Sequence, residues 1–508
     1  MPWRKSIFWR SPGKGGAHVD RHRRAASGGP SSLFTHFPLS GFLAIPFPPF
    51  FRRRSRNLPP CAMTRAFVAP KCFSMPMHWK ETVDVSTARK GDFPPQRNFL
   101  PIGEPRMDLT LWKGKLDAYL DPQEGDMLRL LERIVNMDSF TTDAQDVDQL
   151  GTVLTDWLRE AGFQTFMMPK TEAPADEPWQ ADLGHVFMAK THGREAEPGI
   201  VFLGHMDTVF PKGTAQARPF KIEGDRATGP GVADMKAGLV ANLFAARALK
   251  RLGLIDCPMT LMFSPDEELG SPSASRTLAQ VLPGARAAIN SEPGGPGGLV
   301  TVSRKGSGHM FLKVQGKASH AGRCYADGAS AILEIAHKTL AIDTFLDLER
   351  GLTVNTGLIS GGASANSVAP WAESRIHLTY RTLEDGQKVV AGIRDAVSRT
   401  VIPGTSASIS GGLRLYPFER CEAGDKLFGL VKDAGELLGM SIKGQHYDSA
   451  SEAGFSSSLG VPTICNMGPE GEHIHSLNEY LVPSSIVKRC KLIALTALQA
   501  SRVFQPGK

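Results

Sequence analysis

From about residue 124 the apolar positions fall into a regular order. Met127, Leu130, Leu131, Ile134 and Val135 recur at helical spacing. So do Leu150, Val153, Leu154, Trp157 and Leu158, with Gly162 as the stop. Residues 200–203 and 259–263 are instead short continuous apolar runs, the pattern of strands buried on both faces. Between them 235–252 predicts a helix, with Leu239, Val240, Leu243, Phe244 and Leu249 along one side. Strand, helix, strand points to an α/β fold with a mostly parallel central sheet covered by helices.

Near residue 305 the pattern changes. Positions 310–315 alternate, 329–346 is helical, and 352–359 and 374–380 are strands; 389–401 is a second helix and 406–410 a last short strand. That order, βαββαβ, predicts a ferredoxin-like module. Beyond it 427–438 resumes an amphipathic helix, and 461–464 is a strand leading into Gly-rich sequence. The expected organisation is an extension over 1–106, a larger domain over 107–304 and 414–508, and an inserted smaller domain over 305–413, which the resemblance named below makes a catalytic domain and its lid.

Charge belongs mostly to the extension. Of a formal net charge of +7 over 508 residues, residues 1–65 contribute twelve Lys/Arg against one Asp, so the remainder is mildly acidic. A basic tail alone does not make a nucleic-acid binder, and no nucleic-acid partner is expected. The apolar stretch 33–51 is broken by Pro38, Pro46, Pro48 and Pro49, which argues against a membrane span. The extension reads as a disordered segment, perceptibly Arg-rich and acid-poor as transit peptides also are, with Met107 a plausible start of the functional chain. Seven scattered cysteines without a Cys-x-x-Cys pair make neither a disulfide framework nor a thiolate metal site, and a reducing cytoplasm is expected.

Five distant stretches carry metal-binding side chains, each at the end of an apolar run or in a Gly-rich loop. His205 follows one run, and Asp207, two residues on, is placed to accept the free ring N–H of a ligating imidazole. Asp234 lies in Gly229-Pro230-Gly231-Val232-Ala233-Asp234-Met235-Lys236, where a carboxylate can cap a helix or bridge two cations. Glu267-Glu268 follows the second run; one carboxylate can ligate while its neighbour holds a water. Glu292 ends the run 287–291, and the loop containing His473 and His475 offers one ligand and a neighbour. Each stretch alone is explicable as a cap or a solvated loop, but five together point to a two-metal hydrolase site.

These motifs resemble the co-catalytic zinc metallopeptidases that include glutamate carboxypeptidase, aminoacylase, acetylornithine deacetylase and succinyl-diaminopimelate desuccinylase. Gly204-His205-Met206-Asp207-Thr208-Val209, the Asp234 loop, Pro219-Phe220-Lys221-Ile222-Glu223-Gly224-Asp225 and Ser291-Glu292-Pro293 look most like the bacterial glutamate carboxypeptidases. The resemblance implies one zinc on His205, Asp234 and Glu292 and a second on Asp234, Glu268 and His475, with cobalt or manganese as substitutes. His475 is preferred to His473 because His475-Ser476-Leu477-Asn478-Glu479-Tyr480 matches the family pattern. It further implies Glu267 as general base toward a zinc-activated water, Asp207 as the partner of His205, and His320 as a lid residue reaching an active site. Asn366 and Arg381 match substrate-binding positions. A peptide or N-acyl amino acid substrate and a homodimer formed through the lid are implied as well. The runner-up activity is deacylation of N-acyl amino acids, and a third reading is a catalytically silent binding relative. A departure lies in Ser449-Ala450-Ser451-Glu452-Ala453, where the family usually has Asp.

Overall fold

The computed structural model describes residues 109–170, 172–191 and 197–505. The expected extension over 1–106 and the start at Met107 lie outside the described residues. The central sheet has six strands in the order Gln164–Met167, Phe187–Lys190, Met259–Ser264, Ile200–His205, Ala287–Asn290 and Thr463–Ile464. The last four run parallel to one another, and the first two add antiparallel pairs at one edge.

Continuous apolar runs became central strands because both of their faces are covered. Ile200 and Phe202 point into a core shared with the helices Ala237–Arg251 and Ile486–Val503. Val201 and Leu203 point the other way, onto Leu278 of the helix Ala274–Val281 and Leu282 at its end. A strand buried on both sides has no polar positions to alternate. Each strand also contributes its C-terminal end to one edge of the sheet, where open α/β folds gather their ligands.

The second sheet is antiparallel, ordered Thr353–Gly361, Trp371–Tyr380, Gly306–Gln315, Ser406–Leu413. With the helices Ala331–Asp343 and Leu383–Ser398 it forms the βαββαβ unit. Met310, Leu312, Val314, Ile376 and Leu378 pack against Ile335, Ile342, Val389 and Ile393 as a separate core. Both helices start on hydroxyl caps: Ser330 Oγ accepts from the Leu333 N–H and Thr382 Oγ1 from the Asp385 N–H. Where the chain enters and leaves this unit, Arg304 and Phe418 exchange backbone hydrogen bonds. Tyr380 Oη there donates to the carbonyls of Ser307 and Leu415. Among the described residues no helix is long and apolar enough to cross a membrane.

Candidate metal centre

Parallel register delivers the candidate residues to one place. His205 ends its strand opposite Ser264, after which the chain turns through Glu267–Leu269. Leu203 lies opposite Asn290, two residues before Glu292. Asp234 comes from the irregular turn Val232–Lys236 that precedes the helix Ala237–Arg251. A β-carbon on Gly238 would fall 1.9 Å from the Ser291 carbonyl oxygen, so glycine is what lets this helix approach the strand end bearing Glu292.

Asp234 divides its two oxygens. Oδ1 lies 3.1 Å from His205 Nε2, and Oδ2 lies 3.2 Å from His475 Nε2. His475 Nε2 is also 3.1 Å from Glu268 Oε2, and Glu292 Oε1 is 3.9 Å from His205 Nε2. His205, Asp234 and Glu268 bring one donor atom each within 4.8 Å of the others. Two ligands of one tetrahedral zinc, bonded at about 2.0–2.1 Å, sit roughly 3.3 Å apart. His473 turns elsewhere, its ring 5.8 Å from that of Tyr480.

The donor set suits divalent cations. Asp234, Glu267, Glu268 and Glu292 are buried together, and among the described residues no Lys or Arg is bonded to any of them. Carboxylates so placed require positive charge. Burial pushes the Glu267 carboxyl well up, and the charges of Glu292 and Glu268 add to it. Glu268 rises to about 7 by burial, with Asp234 adding. Glu292 also rises, through burial and Asp234. For Asp234 burial is outweighed by hydrogen bonds from His205 and His475, and its carboxyl is lowered. Those same bonds from Asp234 and Glu268 lift His475 to about 11. His205 rises despite its burial because Asp207 and Asp234 both hold it.

Asp207 does more than face the imidazole. Its carboxylate accepts from the backbone N–H of Glu267 and of Glu268, each at 3.1 Å, and from Thr141 Oγ1 at 2.7 Å. His205 Nδ1 lies 3.0 Å from the Asp207 carbonyl and 3.3 Å from its carboxylate. One side chain thus fixes the Glu267–Glu268 turn against the His205 strand.

Three further buried charged residues lie around the centre, and sequence reading gave none of them a role. Glu479 accepts from the N–H groups of Gly231, Ala233 and Asp234. Arg304 donates to the Ala450 carbonyl, Ser449 Oγ and Asn466 Oδ1. Glu452 accepts from Ser271 Oγ at 2.8 Å. Glu479 carried a signal through its place four residues after His475, and Glu452 through its place in the departing segment Ser449-Ala450-Ser451-Glu452-Ala453.

The remaining candidates stand apart from this cluster. His320 is exposed on the smaller unit, its Nδ1 accepting from the N–H groups of Gly322 and Arg323. Asn366 is its neighbour: the Asn366 carbonyl accepts from the Ala321 N–H, and His320 pairs with Ser367. Arg381 lies against the Gly351 turn and acts electrostatically on Asp448. Among the described residues, no hydrogen bond or ion pair joins these three to the carboxylate cluster.

Several known proteins are similar to this chain. The chain is 27% identical over 375 residues to carboxypeptidase G2 of Pseudomonas sp. (strain RS-16), covering 72% of this chain and 88% of that one. It is 28% identical over 343 residues to a succinyl-diaminopimelate desuccinylase of Gluconobacter oxydans, covering 63% and 84%. Its fold matches an M20 family metallo-carboxypeptidase, Sso-CP2 of Sulfolobus solfataricus, with a TM-score of 0.60 at 15% identity, over 74% of this chain and 99% of that one. The model of Peptidase family M20/M25/M40 matches residues 201–499, and the chain belongs to that family, a metal-binding hydrolase of peptide or amide bonds.

Proposed function

We propose that this chain is a two-zinc carboxypeptidase of the glutamate carboxypeptidase kind, releasing the C-terminal residue of a small peptide or acyl-amino acid. The observation that carries the reading is Asp234, whose oxygens face two separate imidazoles at 3.1 and 3.2 Å, as a bridging ligand requires. His205, Asp234 and Glu292 would hold one ion, and Asp234, Glu268 and His475 the other. Bound there, the pair would supply electrophilic polarisation of the amide carbonyl and a water acidic enough to deprotonate near neutral pH.

The chain's own residues do the rest. Glu267 is the proton carrier: buried beside Glu268, it takes a proton from the attacking water and returns it to the leaving nitrogen. Asp207 holds that turn and the His205 ring in one orientation. His320 and Asn366, side by side on the βαββαβ unit, reach the centre when that unit closes or when a second subunit presents them. Arg381 grips the substrate carboxylate in the closed form. Residues 305–413 act as lid and dimerisation domain between two segments of a catalytic domain in a cytoplasmic homodimer.

A second reading, N-acyl amino acid deacylation, is favoured by the likeness to the desuccinylase. A hydrolysis screen of the zinc-loaded chain against N-acyl glutamates, dipeptides and acetylated amino acids separates the two. Turnover of acyl-glutamates, abolished by a chelator and restored by zinc, is expected. Turnover of acetylated amino acids alone would establish the deacylase, and turnover insensitive to metal removal would sink both readings.

A further inference from the structure

We propose that Glu452 is a positioning residue that holds the Glu267–Glu268 turn through Ser271, a role that rests on the centre described above. Glu452 is 1% exposed, and its Oε1 receives the Ser271 hydroxyl at 2.8 Å. Ser271 is fully buried and has a left-handed backbone, φ 53°, which a serine adopts only when its surroundings hold it. Its N–H closes the turn by donating to the Asp266 carbonyl at 2.8 Å, and Gly270 N–H donates to the Glu267 carbonyl at 2.7 Å. Asp207 fixes the N-terminal half of this turn through the N–H groups of Glu267 and Glu268. The Glu452–Ser271 bond fixes the other half.

Glu452 is itself anchored. Its loop is held by Arg304, whose guanidinium donates to the Ala450 carbonyl at 2.7 Å and to Ser449 Oγ at 3.1 Å. Arg304 also bonds Asn466 Oδ1 at 2.8 Å, and Asn466 Nδ2 donates to the Pro293 carbonyl beside Glu292. The brace therefore runs unbroken from the Glu292 strand end to the Glu267–Glu268 turn and spans both sides of the cluster. Burial raises the Glu452 carboxyl to about 7. The bond requires only an acceptor oxygen at the right reach, and a neutral amide of equal length meets that requirement.

Four variants of the full chain test this: Glu452→Gln, Glu452→Asp, Ser271→Ala and the double Glu452→Asp/Ser271→Ala. Glu452→Asp and Ser271→Ala are expected to lower kcat about tenfold, with KM within about twofold, because loss of a supporting partner displaces the turn and leaves the pocket. Bound metal should stay unchanged, Glu452→Gln should remain near wild type, and the double variant should fall no further than either single one. The visible absorption of the cobalt-loaded protein supplies a readout independent of turnover. It should shift in Glu452→Asp and Ser271→Ala and not in Glu452→Gln. A Gln variant as impaired as the Asp variant, losses that add in the double variant, or cobalt spectra identical throughout would overturn the proposal. An inactive wild type with the expected spectral shifts would instead remove the carboxypeptidase reading and leave this one standing.

Discussion

Asp234 can serve two imidazoles only if its backbone is held still, and Glu479 does the holding. Its carboxylate gathers three N–H groups, from Gly231, Ala233 and Asp234, at 2.9–3.1 Å. Glu479→Ala removes all three acceptors at once and is expected to weaken zinc binding roughly 10- to 100-fold by equilibrium dialysis. Unchanged affinity would show that the loop holds itself. Glu267→Gln should behave in the opposite manner, keeping its metal while kcat falls about 10²–10⁴-fold, the usual contribution of a general base. Near-normal turnover would remove Glu267 from that role. His205, Glu268 and Glu292 were legible because each follows an apolar run, and strand ends in parallel sheets converge. The holding role of Glu479 was not, although its motif was, and neither were the roles of Glu452 and Arg304, since a charged residue buried by distant loops reads like any surface charge.

At the scale of elements, periodicity identified the central strands and the βαββαβ order, and tertiary contacts set the boundaries. The pattern predicts a helix from residue 235, yet regular helix begins at Ala237, because the backbone of Asp234 and Met235 departs from helical angles where the chain presents the Asp234 carboxylate. The antiparallel strands Gln164–Met167 and Phe187–Lys190 are four residues each, too short for alternation to register. The strand pairing in the smaller sheet makes a testable pH effect. His309 and His377 lie directly opposite each other with ring centroids 5.0 Å apart, and the charge of Arg414 acts on His309. Burial, with the charges of His377 and Arg414 adding, lowers His309 from 6.5 to about 4. Between those values the unfolded chain binds the proton and the folded chain does not, so stability is full above about pH 6.5 and is lost as pH falls toward 4. His309→Gln should therefore narrow the gap between denaturation midpoints measured at pH 7 and pH 5. An equal gap in variant and wild type would show that His309 does not carry the effect.

For the molecule as a whole, the centre makes opposite demands on pH with and without metal. In the metal-free chain Glu267, Glu268 and Glu292 hold protons that the unfolded chain has released, Glu268 up to about 7. Folding then takes up protons, and stability falls as pH rises from about 4.5 through 7. The histidines act in the same direction at higher pH. His475, raised to about 11 by Asp234 and Glu268, contributes stability that is complete below 6.5 and fades as pH climbs. Asp234 opposes this only below its ordinary 3.8, outside the working range. Metal reverses the balance, because ligands bind deprotonated and each ion displaces protons, so affinity and the stability it confers grow with pH. Thermal melts should accordingly show the chelated protein more stable near pH 5.5 than near pH 8. The gain in Tm on adding zinc should be small at pH 5.5 and several degrees larger at pH 8, given that about 1 kcal/mol shifts a chain of this size by roughly 2–4 °C or less. A zinc-induced gain independent of pH would mean that the ion binds elsewhere than among these carboxylates and imidazoles.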